Sequence, residues 1–126
     1  MGNAANKPIP LILVAGSSYS QRETWICNQL SASSKSAILL EGLPSGEQVL
    51  PSGPSQGIML ERIPSGCFCC AGNMVLRVVL NRLIRQRPEQ IFIAISQPEH
   101  LPSLRDFLSS ANYAELLALE TDQLLI

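Results

Sequence analysis

The sequence predicts an α/β domain with a mainly parallel sheet, and three observations lead to this prediction. Apolar runs without polar alternation recur along the chain, as expected of strands that are covered on both faces. Helix-patterned segments and turn residues separate these runs, so strands and helices alternate. The chain has 126 residues, of which 46% are hydrophobic, which is enough to build the core of one domain.

The first predicted strand is the apolar run at residues 8–15, which ends at Gly16. A helix is expected at residues 21–30, because Ser20 and Glu23 have the spacing of a capping box at its start. Three shorter apolar runs predict the remaining strands of the sheet, at residues 37–40, 57–63 and 91–95.

Two further helices complete the predicted pattern. The longer one covers residues 71–87, where apolar side chains recur at intervals of three and four, and Pro88 ends it. The shorter one is expected to begin near Ser103, which has the spacing of a capping pair with Asp106, and to run to about Leu108. The tail at residues 113–126 fits a helix or a strand equally well.

We interpret residues 1–126 as a single domain with two irregular segments. Residues 1–7 are polar and are expected to form a loose N-terminus. Residues 41–56 contain three Gly, three Pro and three Ser, and this composition predicts a mobile loop.

The composition argues against several classes of function. The formal net charge is -1 and only 15% of the residues are charged, so the chain has no general electrostatic attraction to nucleic acid or to an anionic membrane. Aromatic residues make up 5%, too few for a base-stacking surface. No apolar run approaches the roughly 20 residues of a membrane span, and the N-terminus lacks a signal-peptide pattern. We therefore expect a cytoplasmic protein with reduced thiols.

Three of the four cysteines lie within four residues, in the stretch Gly66-Cys67-Phe68-Cys69-Cys70. Cys67 and Cys70 have the C-x-x-C spacing that lets two thiolates bind one metal ion, and Cys69 adds a third thiolate if the backbone turns sharply. Soft sulfur ligands favour zinc or copper(I), and three of them leave one coordination position open. Two other interpretations stay open, namely redox or sulfur chemistry and inert packing.

The same stretch resembles a motif of a known family. G-C-x-C-C followed by a long helix, a buried strand and a polar loop is similar to the CobW family of P-loop GTPases, which resemble zinc metallochaperones and proteins that handle cobalt or nickel. Residues 59–67 look like the family's lead-in to its cysteine motif, and residues 87–93 look like the run into its switch II strand. The resemblance covers nearly the whole chain. It implies a three-layer P-loop NTPase-like domain that binds zinc at Cys67, Cys69 and Cys70.

The resemblance weakens where the family binds the phosphates of GTP. The family motif G-x-x-G-x-G-K-T-T corresponds here to residues 16–24, in which only Gly16 and Thr24 are retained. Arg22 stands in place of the lysine, and its planar guanidinium is a poor replacement for a compact ammonium. Gly16, Arg22 and Thr24 are therefore the remaining candidates for a degenerate phosphate loop.

Further replacements predict that the GTPase machinery is lost. Tyr19 and Gln21 replace glycines that let backbone N–H groups approach the phosphates, and Glu23 replaces the hydroxyl that binds magnesium. The switch II pattern E-[TS]-[ST]-G corresponds to residues 94–97, which lack the acidic residue and the glycine. We therefore do not expect the chain to bind GTP with magnesium or to hydrolyse GTP.

The resemblance thus predicts a pseudo-GTPase that retains zinc binding, as a metallochaperone-like carrier or a regulatory subunit. Its expected partners are the metal ion and either a client metalloprotein or an intact CobW-type GTPase. Two alternatives stay open. The first is a GTP-hydrolysing metallochaperone that a partner chain completes, and the second is a non-catalytic interaction protein that pairs with an intact family member.

Several other residues have an ordinary structural interpretation beside a functional one. His100 and Glu61 are conceivable additional metal ligands, but a surface histidine and a solvated strand residue are the preferred interpretations. Cys27 is expected to serve in packing. Four arginines at the long predicted helix form a basic flank, which suits either an acidic partner or a solvated helix face: Arg77, Arg82, Arg85 and Arg87.

Overall fold

The structure is a computed structural model, and it describes residues 7–30, 35–42, 57–63 and 74–125. Six strands lie in these ranges: β1 (Ile9–Ala15), β2 (Ser36–Glu41), β3 (Ile58–Ile63), β4 (Gln90–Ile95), β5 (Leu117–Leu119) and β6 (Gln123–Leu124). Three α-helices accompany them: α1 (Tyr19–Gln29), α2 (Met74–Arg85) and α3 (Leu101–Leu108). A 3-10 turn, Pro98–His100, leads directly into α3.

The strands form one sheet in which every described pairing is parallel. The order across the sheet is β3-β2-β4-β1-β5, and the short β6 pairs with the carboxyl end of β1. In the centre, Leu11 of β1 lies opposite Ile91 of β4, and Ala15 lies opposite Ile95. The predicted α/β fold with a mainly parallel sheet is confirmed in the part of the chain that the structure describes.

Helices cover both faces of this sheet. α2 and α3 pack on one face, over a core that includes Leu80, Ile93 and Leu104. α1 packs on the opposite face, in a smaller core that includes Ile26 and Phe92. Successive strand residues point to opposite faces, so the strands carry apolar side chains at nearly every position. The described residues therefore form three layers, with the sheet between the helices.

The predicted strands and helices agree with the structure to within a few residues, but the cap of α1 differs from the prediction. α1 begins at Tyr19, and its N-cap is Ser18, whose hydroxyl accepts a hydrogen bond from the backbone N–H of Gln21. The predicted capping pair of Ser20 and Glu23 is wrong, because both residues lie inside the helix.

Three other predictions need correction or lie beyond the described residues. Ser103 and Asp106 lie inside α3, whose N-cap is His100. The tail forms the short strands β5 and β6 after a series of turns. The prediction of a mobile loop from residue 41 onward is wrong for Glu41, which is the buried last residue of β2. The other residues of that loop from 43 to 56, the predicted loose residues 1–6 and the first three residues of the long predicted helix lie outside the described residues.

None of the helices in the described ranges combines the length and the apolar character that crossing a membrane requires. The longest, α2, has 12 residues, and its buried side chains lie on the face toward the sheet: Leu76, Val79, Leu80 and Leu83.

Tyr113 is the polar member of the core between α2 and α3. Its ring meets the ring of Phe107 edge to face at 5.2 Å between centroids. Its hydroxyl donates a hydrogen bond to Oδ1 of Asn81 over 2.9 Å, so the buried O–H has a partner. Burial raises the pKa of the Tyr113 phenol above its usual value, and the positive charge of Arg77 offsets part of this rise.

We expect Tyr113→Phe to remove part of the alkaline destabilisation of the protein. The folded-state pKa of Tyr113 lies above its unfolded-state pKa, so the associated stability is present below about pH 10 and is lost as the pH rises through the folded-state value. Urea unfolding should show that the stability of the wild type falls more steeply above about pH 10 than that of the variant. At neutral pH the variant should lose about 1 kcal/mol with the hydrogen bond to Asn81. Parallel pH profiles for the two proteins would contradict this account of the phenol.

Candidate functional site

The carboxyl edge of the sheet brings the ends of its four longer strands together. All strands run parallel, so β1, β2, β3 and β4 end at the same edge, at Ala15, Glu41, Ile63 and Ile95. The neighbouring strands β1 and β4 lead into helices on opposite faces, α1 and α3. Because the chain leaves these two neighbouring strands toward opposite faces, a crevice opens beyond the strand ends. Such a crevice is the usual ligand site of an open parallel sheet. The loop after β1 is therefore the natural place to look for a site.

Gly16 has a backbone role in this loop. Its φ of 91° lies in the left-handed region, and a Cβ at this position would lie 2.5 Å from the carbonyl oxygen of Leu125. The backbone N–H of Leu125 in turn donates to the carbonyl of Ala15 over 2.8 Å. Ser17, with a φ of 58°, continues the left-handed turn. The glycine is thus required because the chain after β6 packs against the end of β1.

The guanidinium of Arg22 is buried beneath the same loop. The side chain is 3% exposed, and its Nη1 donates to the carbonyl oxygens of Gly16 at 2.8 Å and of Ser17 at 3.0 Å. A guanidinium makes charge-assisted bonds to carbonyls, and these bonds are strengthened by burial. The structure therefore brings two of the three phosphate-loop candidates together, whereas Thr24 lies exposed on α1 and takes no part.

Two backbone donors at the start of α1 are bound by side chains of the same turn. The hydroxyl of Ser18 accepts from the N–H of Gln21 at 3.3 Å, and the Gln21 side-chain oxygen accepts from the N–H of Ser18 at 3.3 Å. Ser17 adds a hydroxyl bond to the same Gln21 oxygen. An anion at a helix N-terminus binds to N–H groups of this kind. The capping box therefore engages donors that a phosphate group would need.

Glu23 has an ionic partner that the sequence does not indicate. Its carboxylate is buried, and Oε2 lies 3.4 Å from Nη1 of Arg62 on the edge strand β3. The pair links α1 to the outer strand of the sheet on the α1 face. Buried ionisable groups need such partners because their desolvation is costly. Glu23, which replaces the magnesium-binding hydroxyl of the family motif, thus has a structural contact within the chain.

A second polar link at the edge was missed by the sequence analysis. Glu41 at the end of β2 is 3% exposed, and its Oε1 accepts from the backbone N–H of Ser96 at 2.8 Å and from the Ser96 hydroxyl at 3.0 Å. The contact ties the carboxyl end of β2 to that of β4. In the sequence, the only indication of this contact is an acidic residue directly after an apolar strand pattern.

The predicted metal ligands Cys67, Cys69 and Cys70 lie outside the described residues. The chain enters that segment from the end of β3 at Ile63, at the carboxyl edge, and returns from it at the start of α2. Within the described residues, no three side chains of the types that bind metals are grouped together.

The two additional ligand candidates have defined positions. Glu61 accepts a hydrogen bond from Arg82 at 3.1 Å, so it is an ion-paired side chain between β3 and α2. His100 is half-buried at the start of α3, with its Nδ1 atom buried, and the preference for a surface histidine over a metal ligand stays a prediction. Cys27 is half-buried and packs against the core on the α1 face, as predicted.

Comparison with known proteins does not assign this chain to a family. The chain matches no family model, no curated protein and no solved structure. The resemblance to the CobW family therefore stays a prediction from the sequence motifs.

We expect Arg22→Ala to destabilise the protein by about 3 kcal/mol, because two loop carbonyls lose a buried charged donor. Thr24→Ala is the matched control on the same helix. Its side chain is exposed, so its stability should change by less than about 0.5 kcal/mol. Urea unfolding of both variants measures the difference, and equal stabilities would show that Arg22 does not hold the loop.

Proposed function

We propose that this protein is a degenerate CobW-like domain of the P-loop NTPase type that binds zinc through Cys67, Cys69 and Cys70 and has lost its GTPase machinery. The motif itself is the basis for the zinc site, because three cysteines within four residues are a strong metal-binding pattern in a reducing compartment. The fold supports the proposal in one respect. β3 ends at the carboxyl edge of a parallel sheet, so the motif follows the strand end at the edge where such sheets usually bind ligands.

One observation carries the loss of GTP chemistry, namely the contact of Arg22 with the loop after β1. In a working phosphate loop the cation at this position reaches the phosphates, and backbone N–H groups surround them. Here the guanidinium donates to the carbonyls of Gly16 and Ser17, and the capping box engages the N–H groups of Ser18 and Gln21. A nucleotide would have to break these bonds before it could bind.

A site with three thiolate ligands is better suited to a zinc ion that is passed to another protein than to a structural zinc ion. Structural zinc normally has four protein ligands, whereas three leave one position for a ligand supplied by a client. Glu61 is engaged with Arg82 and is not included in the proposed ligand set. We therefore assign the protein as a zinc carrier or a zinc-binding regulatory subunit, whose partner is a client metalloprotein or an intact CobW-type GTPase.

We expect wild-type protein to bind one zinc ion per chain, and the double variant Cys67→Ser/Cys70→Ser to bind it at least about a hundredfold more weakly. Loss of groups that only support metal ligands already costs about 10–100-fold, so loss of two ligands should cost no less. Competition with a chromogenic zinc chelator measures both affinities.

Cys27→Ser is the control for this measurement, because Cys27 lies on α1 and packs against the core. Its zinc affinity should equal that of the wild type. If the double variant binds zinc as tightly as the wild type, the three-cysteine site does not exist.

A further inference from the structure

Two short strands with an irregular segment between them pair with the outer side of β1. β5 pairs with the amino half of β1, where Leu11 lies opposite Leu119, and β6 pairs with its carboxyl end, where Val14 lies opposite Gln123. Between these two positions β1 advances by three residues and the outer chain by four, so the outer chain carries one extra residue. An extra residue of this kind interrupts the ladder of hydrogen bonds. β6 is therefore separated from β5 and is attached to the sheet by its own contacts.

Polar contacts at both ends fasten residues 121–125, which we call the strap. The backbone N–H of Leu125 donates to the carbonyl of Ala15 over 2.8 Å. The carboxylate of Asp122 pairs with Nη1 of Arg105 on α3 over 2.5 Å. The side chains of this pair are 25% and 37% exposed, and ion pairs that water reaches contribute little stability and weaken with salt. The strap is thus fastened to α3 by a contact that can break and form again.

The strap has more of its surface in contact with solvent than the central strands have. None of its five residues is fully buried, and Leu124 is 54% exposed. In contrast, β1 and β4 consist mainly of buried residues, such as Leu11 and Phe92. Segments that bury little apolar surface open at a lower free energy than the core of a domain. We therefore expect the strap to open more readily than the central strands.

The attached strap packs directly on the loop after β1. The carbonyl oxygen of Leu125 is so close to Gly16 that a Cβ on this glycine would lie 2.5 Å from it. The carbonyls of Gly16 and Ser17 also accept the hydrogen bonds from Arg22. The loop is therefore held by two groups, the guanidinium of Arg22 and the backbone of the strap.

We propose that the strap detaches from β1 while the rest of the sheet stays folded, and that the attached strap holds the loop after β1 in its observed conformation. Detachment breaks the hydrogen bond to Ala15 and removes the carbonyl of Leu125 from Gly16. The loop can then change its conformation at the edge where parallel sheets usually bind ligands. The strap is thus a conformational switch at the carboxyl edge, and the pair of Arg105 and Asp122 fastens it. This switch is independent of the proposed zinc site.

Native-state hydrogen exchange of the full chain, measured by NMR in water and in low concentrations of urea, tests the separate opening of the strap. The amide of Leu125 reports on the strap, and that of Ile93, which lies between two paired strands, reports on global unfolding. We expect Leu125 to exchange at least about a hundredfold faster than Ile93 and with little dependence on urea, because its opening exposes little surface. Equal protection and equal urea dependence of the two amides would overturn the proposal.

Asp122→Asn tests the fastening contact and its effect on the loop. Loss of the ion pair should accelerate the exchange of Leu125 about two- to fivefold, as expected for a partly exposed pair. The amide of Gln21, which donates to the hydroxyl of Ser18, reports on the loop and should accelerate by the same factor. Unchanged exchange of Leu125 would show that the pair does not fasten the strap, and acceleration of Leu125 without Gln21 would show that the strap does not hold the loop.

Asp106→Asn is the matched control for this variant. Asp106 lies on α3 beside Arg105, is exposed, and forms no ion pair with a described residue. The substitution removes the same charge, but the amides of Leu125 and Gln21 should exchange as in the wild type. Equal acceleration in Asp106→Asn and Asp122→Asn would attribute the effect to net charge and would overturn the role of the ion pair.

Discussion

The contact between the Arg22 guanidinium and the carbonyls of Gly16 and Ser17 is the constraint on which the carboxyl edge of this sheet depends. A buried guanidinium must find acceptors, since its desolvation without them costs several kcal/mol. The left-handed turn at the two loop residues supplies those acceptors. The same turn places Ser18 at the N-cap of α1, where it and Gln21 cap the helix. The conformation of the loop is therefore determined by groups within the chain.

Other polar contacts extend this internal organisation across the sheet. Glu41 joins the ends of β2 and β4 through Ser96, and Glu23 joins α1 to β3 through Arg62. In a nucleotide-binding domain, charged groups at this edge serve the ligand. In this chain they bind backbone or side-chain groups of the chain itself, and the cysteine motif is the candidate ligand-binding element that the resemblance retains. These contacts are the physical basis for proposing the loss of GTPase activity, whereas the proposed metal site rests on the cysteine motif alone.

The sequence predicts the fold better than the site. Continuous apolar runs identify buried strands directly, because both faces of the sheet are covered. The cap of α1 was not predictable, since Ser18 with Gln21 and Ser20 with Glu23 both have capping spacing. The choice depends on the turn at residues 16–17, which is held by the Arg22 side chain and by the close approach of Leu125. The role of Glu41 depends on the strand order, which places β2 beside β4 and is not encoded by any local pattern.

The zinc affinity of the wild-type protein, measured with and without GTP and magnesium, tests the central claim most directly. If the contacts of Arg22 fix the loop after β1 as proposed, a nucleotide has no site through which to influence the proposed cysteine site. The two zinc dissociation constants should then agree within about twofold, because coupling between real sites typically changes affinity by about 5–150-fold. A change of about fivefold or more on addition of GTP and magnesium would contradict the account, since it would require a nucleotide site coupled to the metal.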